Sequence, residues 1–382
     1  MAVRRPIPVN EPKLDGRESE YLLKCITSGW ISSEGPFVGD FERLFSSYVG
    51  GQYGTAVCNG TAALETALFA LGIQSGDEII MPSFTIISCA VAALRLGAKP
   101  VFVDINRETW NMDTSQVESK VTSKTKAIMP VHIFGHPVDM DPLFDIADAY
   151  KLKIIEDAAE AHGAQYLSKT NTHTWLKCGA MGDVACFSFY ANKIITTGEG
   201  GMVVTNDPAI AKRAASYRNL CFKPERRFYH TELCYNFRMT NLQAAVGLAQ
   251  LERIEEFIAI KRSLGEYYRD KLSRVPGIRF QVEKPYAKCV YWMYAIEIDE
   301  ATELTADLVL QRLGQYGIGA RPFFMGLHAQ PILQELGVTT GEHFPHTDKA
   351  YKQGLYLPSG LTLTRTQIDV VSEAMQEIMA NN

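Results

Sequence analysis

Between residues 53 and 157 the chain switches repeatedly between two hydrophobic periods, and few folds accept that pattern. Short apolar runs with strand character occupy 53–58, 77–81, 99–104, 126–131 and 153–157. Segments with helical spacing lie between them: one opening at Asn59, then 86–96, 114–121 and 140–150. Strands joined through helices run in the same sense and form a mostly parallel sheet, which must be covered on both faces. The prediction is an α/β domain with helices on each side of that sheet. Two helices precede it, over 17–28 and 37–48, the second with Phe41, Leu44 and Phe45 on its apolar side. After a long helix predicted over 241–272, a strand near 290–298 and helices near 304–315 and 366–379 suggest a smaller α+β unit. With 382 residues there is room for both. The predicted division is 1–250, including the N-terminal segment, and 251–382.

Sheets of this kind bind ligands beyond the carboxyl ends of their strands, so polar residues there are candidates. The strand 153–157 ends in Asp157, and Ala158-Ala159-Glu160-Ala161-His162-Gly163 follows. Lys193 lies between the apolar runs 184–189 and 201–204, each a predicted strand. A lysine there either reaches solvent from a loop or is kept neutral by a Schiff base to an aldehyde cofactor, because an unpaired buried ammonium is costly. Asp157 favours the second reading. A carboxylate against a pyridine nitrogen keeps that nitrogen protonated, so that the ring becomes an electron sink; the competing use of Asp157 is a helix cap. In Asn59-Gly60-Thr61-Ala62, a helix start with a glycine and a hydroxyl is either a phosphate cradle or a plain cap. Phe84, just past a predicted strand, either stacks on a flat ring or joins the core. The loop holding Trp30 and Ser32 suits ligand contact or is simply a turn.

Composition removes other classes. A net charge of −5 argues against a surface for nucleic acid or anionic membrane. No apolar run has membrane-spanning length, and the first residues lack a signal-peptide core, so the expected location is the cytoplasm. The eight cysteines include no CxxC pair and no disulfide-like spacing, and Cys58 and Cys186 are expected as small core residues. His132 and His136 are four apart, but Gly135 and Pro137 make a helical metal site a poor expectation, and no metal is predicted. There is no GxGxxG, P-loop or GxSxG pattern. The polar insert 167–177 is expected as a surface loop or hairpin, and the basic, aromatic stretch 220–231 as a mobile loop.

Taken in order, Asn59-Gly60-Thr61-Ala62-Ala63-Leu64, Asp157-Ala158-Ala159-Glu160-Ala161-His162-Gly163, Phe187-Ser188-Phe189-Tyr190 with Lys193, Thr197-Gly198-Glu199-Gly200-Gly201 and Tyr235-Asn236-Phe237-Arg238 resemble the sugar-nucleotide aminotransferases of the DegT/DnrJ type. The resemblance spans nearly the whole chain. It implies the aspartate-aminotransferase-like fold of pyridoxal-phosphate enzymes, fold type I, with pyridoxal 5'-phosphate passing through pyridoxamine 5'-phosphate. It implies Lys193 as the Schiff-base lysine, Asp157 at the ring nitrogen, and Glu160 near the phenolic oxygen. Gly60, Thr61, Ala62 and Ser188 would serve the phosphate, and Phe84 would stack on the ring. Asn236 would reach the phosphate of a neighbouring subunit, making the enzyme a homodimer. Relatives with His at the lysine position are dehydratases, a branch that Lys193 argues against. Ser28-Gly29-Trp30-Ile31-Ser32-Ser33, Pro82-Ser83-Phe84-Thr85-Ile86 and Arg321-Pro322-Phe323-Phe324 most resemble GDP-perosamine synthases within the family. That implies transfer of the amine of L-glutamate to C4 of GDP-4-keto-6-deoxy-D-mannose, with UDP- or dTDP-linked sugars as the alternative acceptors. A lyase, or a regulator that only binds the cofactor, are the other classes to weigh. Trp30, Ser32, His162 and His328 are nominated for the sugar, against core packing for each.

Overall fold

The computed structural model describes residues 6–169, 173–223, 225–339 and 341–380. Two helices open it, α1 (Glu18–Ser28) and α2 (Pro36–Val49). Proline at the start of α2 needs no hydrogen-bond donor there, and Gly50 ends it at a left-handed φ of 93°. Phe41 and Phe45 are fully buried, but Leu44, expected beside them, is 38% exposed. The alternating region follows as β1 (Tyr53–Val57), α3 (Gly60–Leu71), β2 (Glu78–Pro82), α4 (Ser88–Arg95), β3 (Lys99–Val103), β4 (Thr125–Ile128), α5 (Asp141–Tyr150) and β5 (Lys153–Asp157). The helix expected over 114–121 is instead two 3₁₀ turns, Thr114–Gln116 and Glu118–Lys120. Asp113 caps the first through the Ser115 amide, and Val121 is already extended, so no α-helical turn closes.

Next come a hairpin, β6 (Gln165–Leu167) and β7 (Trp175–Lys177), then β8 (Val184–Ser188), β9 (Gly201–Thr205) and α6 (Pro208–Tyr217). The hairpin strands are the two ends of the polar insert, whose residues 170–172 lie outside the described residues. The main sheet runs β1-β9-β8-β5-β4-β2-β3. All neighbours are parallel except β9, which is antiparallel to both β1 and β8. In consequence the carboxyl ends of β1, β2, β5 and β8 and the start of β9 share one edge.

The long helix expected over 241–272 is broken into α7 (Asn241–Leu251) and α8 (Ile254–Leu272). Arg253 leaves helical geometry at φ −119° and ψ 11° and binds Asp15 and Glu256. Glu252 meanwhile takes the Tyr21 hydroxyl at 2.5 Å. The strands β10 (Ile278–Phe280), β11 (Ala287–Lys288), β12 (Tyr294–Ile298), β13 (Arg321–Pro322) and β14 (Gly354–Leu357) complete the sheets. A four-stranded antiparallel sheet, β10-β12-β14-β13, packs against α8, α9 (Ala306–Gln315), α11 (Pro345–Gln353) and α12 (Arg365–Ala380), with the short α10 (Pro331–Glu335) beside it. Near the chain's start Ile7 bridges Ile318 and exchanges backbone hydrogen bonds with Gly317 and Gly319, just before β13. The cysteine reading also needs correction: Cys221 and Cys234, thirteen apart, are disulfide-bonded around the aromatic stretch that carries Phe228 and Tyr229.

Candidate active site

The shared sheet edge opens into a cavity of about 520 Å³, which is the size that holds a small cofactor with part of a substrate. At one end α3 and α4 begin side by side. Asn59 caps α3 by accepting from the Ala62 amide at 2.8 Å. The amides of Gly60 and Thr61, in the first turn, have no carbonyl one turn back to bond. Thr61 Oγ1 and Ser88 Oγ lie 2.8 Å apart and link the two helix starts. A Cβ on Gly60 would stand 2.9 Å from the Cβ of Ser188, so only glycine lets the start of α3 come this close to the end of β8. Gly60, Thr61, Ser88 and Ser188 all line the cavity, forming an anion cradle of amides and hydroxyls. Ala62 does not line it, and its amide is spent on the Asn59 cap.

Asp157, the last residue of β5, projects from the sheet edge into the middle of the cavity wall and is 2% exposed. Its Oδ1 accepts from the Ala159 amide at 3.0 Å and its Oδ2 from the Cys89 thiol at 3.1 Å. No cation pairs with it among the described residues, so a cationic N–H would be well received there.

Lys193 lies on a tight loop between β8 and β9, fixed by its own amide to Tyr190 O at 2.9 Å and by the Thr197 amide to Phe189 O at 2.9 Å. Its Nζ is 3.8 Å from Glu160 Oε1 and 3.9 Å from the centre of the Trp292 ring. Burial pushes its pKa below the ordinary lysine value, opposed by the charges of Glu160 and Asp157. A larger neutral fraction near pH 7 makes it a better nucleophile. Burial also raises Glu160 to about 7, against the pull of Lys193 and of the Phe134 amide, which donates to Oε2 at 2.7 Å. Glu160 can therefore hold or release a proton beside Lys193 near neutral pH.

Gly60, Thr61, Asp157, Glu160, Ser188 and Lys193 thus meet in one cavity, whereas the other nominated residues lie elsewhere. Phe84 is buried in an aromatic cluster, 5.5 Å from the Phe323 ring and 6.1 Å from that of Phe134, so its neighbours Thr85 and Ile86 line the cavity in its place. His162 sits behind the wall among Phe45, Phe187 and Phe189, with no hydrogen-bond partner at either nitrogen. Burial lowers it to about 3 and keeps it neutral. His328 pairs with Ser83 Oγ at 2.7 Å and Asp348 at 2.9 Å, which ties the second sheet's unit to the end of β2. Trp30 is 51% exposed, and it and Ser32 give their carbonyls to Asn241. Asn236 is exposed, outside the cavity, and bridges Asn219. His132 and His136 are core residues, His132 paired with the buried Glu156 at 3.0 Å and His136 with the Pro137 carbonyl at 2.7 Å.

Sequence reasoning missed Ser88, Asn192, Trp292 and Tyr356 in the cavity wall. Asn192 was reachable as the neighbour of Lys193. Trp292 and Tyr356 come from the second sheet's unit and bear no local sign of the site.

The profile of the DegT/DnrJ/EryC1/StrS aminotransferase family matches residues 12–376. A GDP-perosamine synthase of Caulobacter vibrioides is 41% identical over 377 residues, 98% of each chain. One of Escherichia coli O157:H7 is 39% identical over 98% of this chain and 99% of its own. Among solved structures, DesV of S. venezuelae in complex with a ketimine intermediate superposes with a TM-score of 0.90 at 32% identity, covering 98% of this chain and 99% of that one.

Proposed function

Since the chain belongs to the DegT/DnrJ/EryC1/StrS aminotransferase family and is a pyridoxal-phosphate-dependent sugar aminotransferase, we propose that it aminates C4 of GDP-4-keto-6-deoxy-D-mannose to give GDP-perosamine, with L-glutamate as the donor. The chemistry rests above all on one observation: a buried Asp157, paired with no cation among the described residues, and a partly buried Lys193 face one cavity that ends in an anion cradle. The GDP-sugar assignment draws its support from the likeness to perosamine synthases along the whole chain.

When bound, pyridoxal phosphate supplies an electron sink for negative charge developing at the donor's Cα. Lys193 would hold its aldehyde carbon, Asp157 its ring N–H, and Gly60, Thr61, Ser88 and Ser188 its phosphate. Lys193 Nζ, when not bonded to the cofactor, would take the proton from the donor's Cα, and its burial favours the neutral amine that this needs. Glu160, balanced near pH 7, steadies the charge that Lys193 gains and loses. Trp292, Phe324 and Tyr356 line the same cavity. With a water supplying the keto oxygen, glutamate would leave as 2-oxoglutarate, and the keto sugar would then accept the amine by the reverse steps and give the water back, a ping-pong cycle.

The working unit in this reading is a homodimer. Asn236 is exposed and does not line its own cavity, and it follows a stretch in which Leu233 is 95% and Phe228 82% exposed. It would reach the cradle of the partner subunit. The boundary between the two units is placed at the break between α7 and α8. The test of the acceptor is direct: incubate the holoenzyme with L-glutamate and GDP-, UDP- or dTDP-linked 4-keto-6-deoxy sugars and analyse products by mass spectrometry. GDP-perosamine with an equal amount of 2-oxoglutarate is expected, and amination confined to a UDP or dTDP sugar would overturn the acceptor assignment.

A further inference from the structure

Four contacts meet at Trp292, a buried residue on the segment that leads into β12. Its ring face lies 3.9 Å from Lys193 Nζ, measured to the ring centre. Its indole Nε1–H donates at 2.8 Å to the carbonyl of Asn192, the residue before Lys193. Its amide donates to Phe134 O at 3.0 Å, and the Phe134 amide in turn holds Glu160 Oε2 at 2.7 Å. Its carbonyl accepts from Lys261 Nζ at 2.8 Å.

Lys261 needs an explanation of its own. It is fully buried on α8, and its hydrogen bonds go to the carbonyls of Trp292 and Ser359. Burial alone lowers it to about 7. A lysine held between two main-chain carbonyls is costly to bury, and here it fixes the main chain at Trp292.

We propose that Trp292 is a positioning residue for Lys193. Its indole face is the resting place of the lysine ammonium once Lys193 has taken up the proton, and its N–H fixes the backbone that carries that lysine. Lys261 in turn fixes Trp292. This rests on the reading of Lys193 as the cofactor lysine. An amine released in mid-cycle swings on a flexible chain, and it must stay near the carbons that exchange the proton. The negative face of an indole attracts a cation most strongly when water is excluded. The other groups facing Lys193 are Glu160 and Asp157, which also favour its charged form, with neutral His162 behind the wall and the half-buried Tyr356 on the same cavity. The ring therefore works with the two carboxylates against burial.

The test uses the cofactor-free full chain, with the titration of Lys193 read by trace acetylation across pH and mass spectrometry of its peptide. Trp292→Leu should lower the midpoint by about one pH unit, a tenfold change in the protonation ratio. Trp292→Phe, which keeps a weaker ring face, should lower it by less. Because Trp292→Leu can fail to fold, a second series keeps the tryptophan and replaces it biosynthetically with mono-, di- and trifluorinated tryptophan. This weakens the ring face with little change in shape. The midpoint should fall stepwise with fluorination, and the same labelling in Trp292→Phe should leave it unmoved. A flat fluorination series, or a wild-type midpoint in a folded Trp292→Leu protein, overturns the proposal. Failure of the underlying reading looks different: a Lys193→Ala protein would still take up pyridoxal phosphate as a borohydride-fixed adduct on another lysine.

Discussion

Gly60→Ala tests the anion cradle, and its effect follows from the geometry. The new Cβ would lie 2.9 Å from Ser188 Cβ. Carbon atoms pack at about 3.5–4.0 Å, so the start of α3 and the end of β8 must part by roughly 0.6–1 Å. Overpacking of this kind costs about 1–3 kcal/mol. The same displacement carries the Gly60 and Thr61 amides away from the phosphate position. Each hydrogen bond to a charged group is worth about 1.5–3 kcal/mol, so loss of even one raises the Kd for pyridoxal phosphate about 10- to 150-fold. The assay is an absorbance titration of cofactor-free protein, with a melting curve recorded alongside. Gly39→Ala is the control: it lies in α2 with nothing within 4 Å of an added Cβ, and it should keep the wild-type Kd and hold or raise the melting temperature. A Gly60→Ala protein whose Kd stays within twofold of wild type would refute the cradle.

Other predictions follow from the same wall of the cavity. Lys193→Ala should abolish turnover and borohydride-fixed cofactor while still binding pyridoxamine phosphate; retained turnover sinks the assignment of Lys193. Glu160, raised to about 7 from its ordinary 4.5, holds a proton in the folded chain that the unfolded chain has already lost between those values. Its contribution is therefore least unfavourable below about pH 4.5 and becomes fully destabilising above about 7, by on the order of 3 kcal/mol. Glu160→Gln should remove that fall, and cofactor-free melting temperatures at pH 5 and 8 measure it. His162 runs the other way: its pKa is lowered from 6.5 to about 3, so the unfolded chain takes a proton below pH 6.5 that the folded chain refuses, and stability falls with acid. His162→Leu should lessen the loss in melting temperature between pH 7.5 and 4.5 and leave KM for the keto sugar unchanged; a several-fold rise in KM would return His162 to the substrate site.

The fold was legible wherever a local pattern carried long-range meaning. Alternating periods announced β1 to β5, and with them the edge where Asp157 and Gly60 had to lie. Lys193 stood out only together with Asp157, because a lysine between two core strands is by itself as readily a surface loop residue. Features set by distant partners were not legible. Nothing in 241–272 announces that Glu252 and Arg253 are claimed by Tyr21 and Asp15, which breaks the helix. Phe84 and Thr85 are adjacent, and only the packing of Phe323 and Phe134 decides that the phenylalanine turns inward and the threonine toward the cavity. Trp292 and Tyr356 reach the site from a different sheet. Cys221 and Cys234 close a loop whose spacing matches no known framework. His328 was nominated for the sugar, but it does not line the cavity and is held by Ser83 and Asp348.

The central claim is that Lys193 and its cavity run both halves of an amine transfer ending on a GDP-linked keto sugar. One absorbance experiment tests it most directly: record the purified holoenzyme, add L-glutamate, and then add GDP-4-keto-6-deoxy-D-mannose. The account predicts a near-visible cofactor band that disappears with glutamate and returns with the keto sugar, and that is absent from Lys193→Ala. A band that glutamate leaves unchanged, or one that returns only with a UDP- or dTDP-linked sugar, would contradict it.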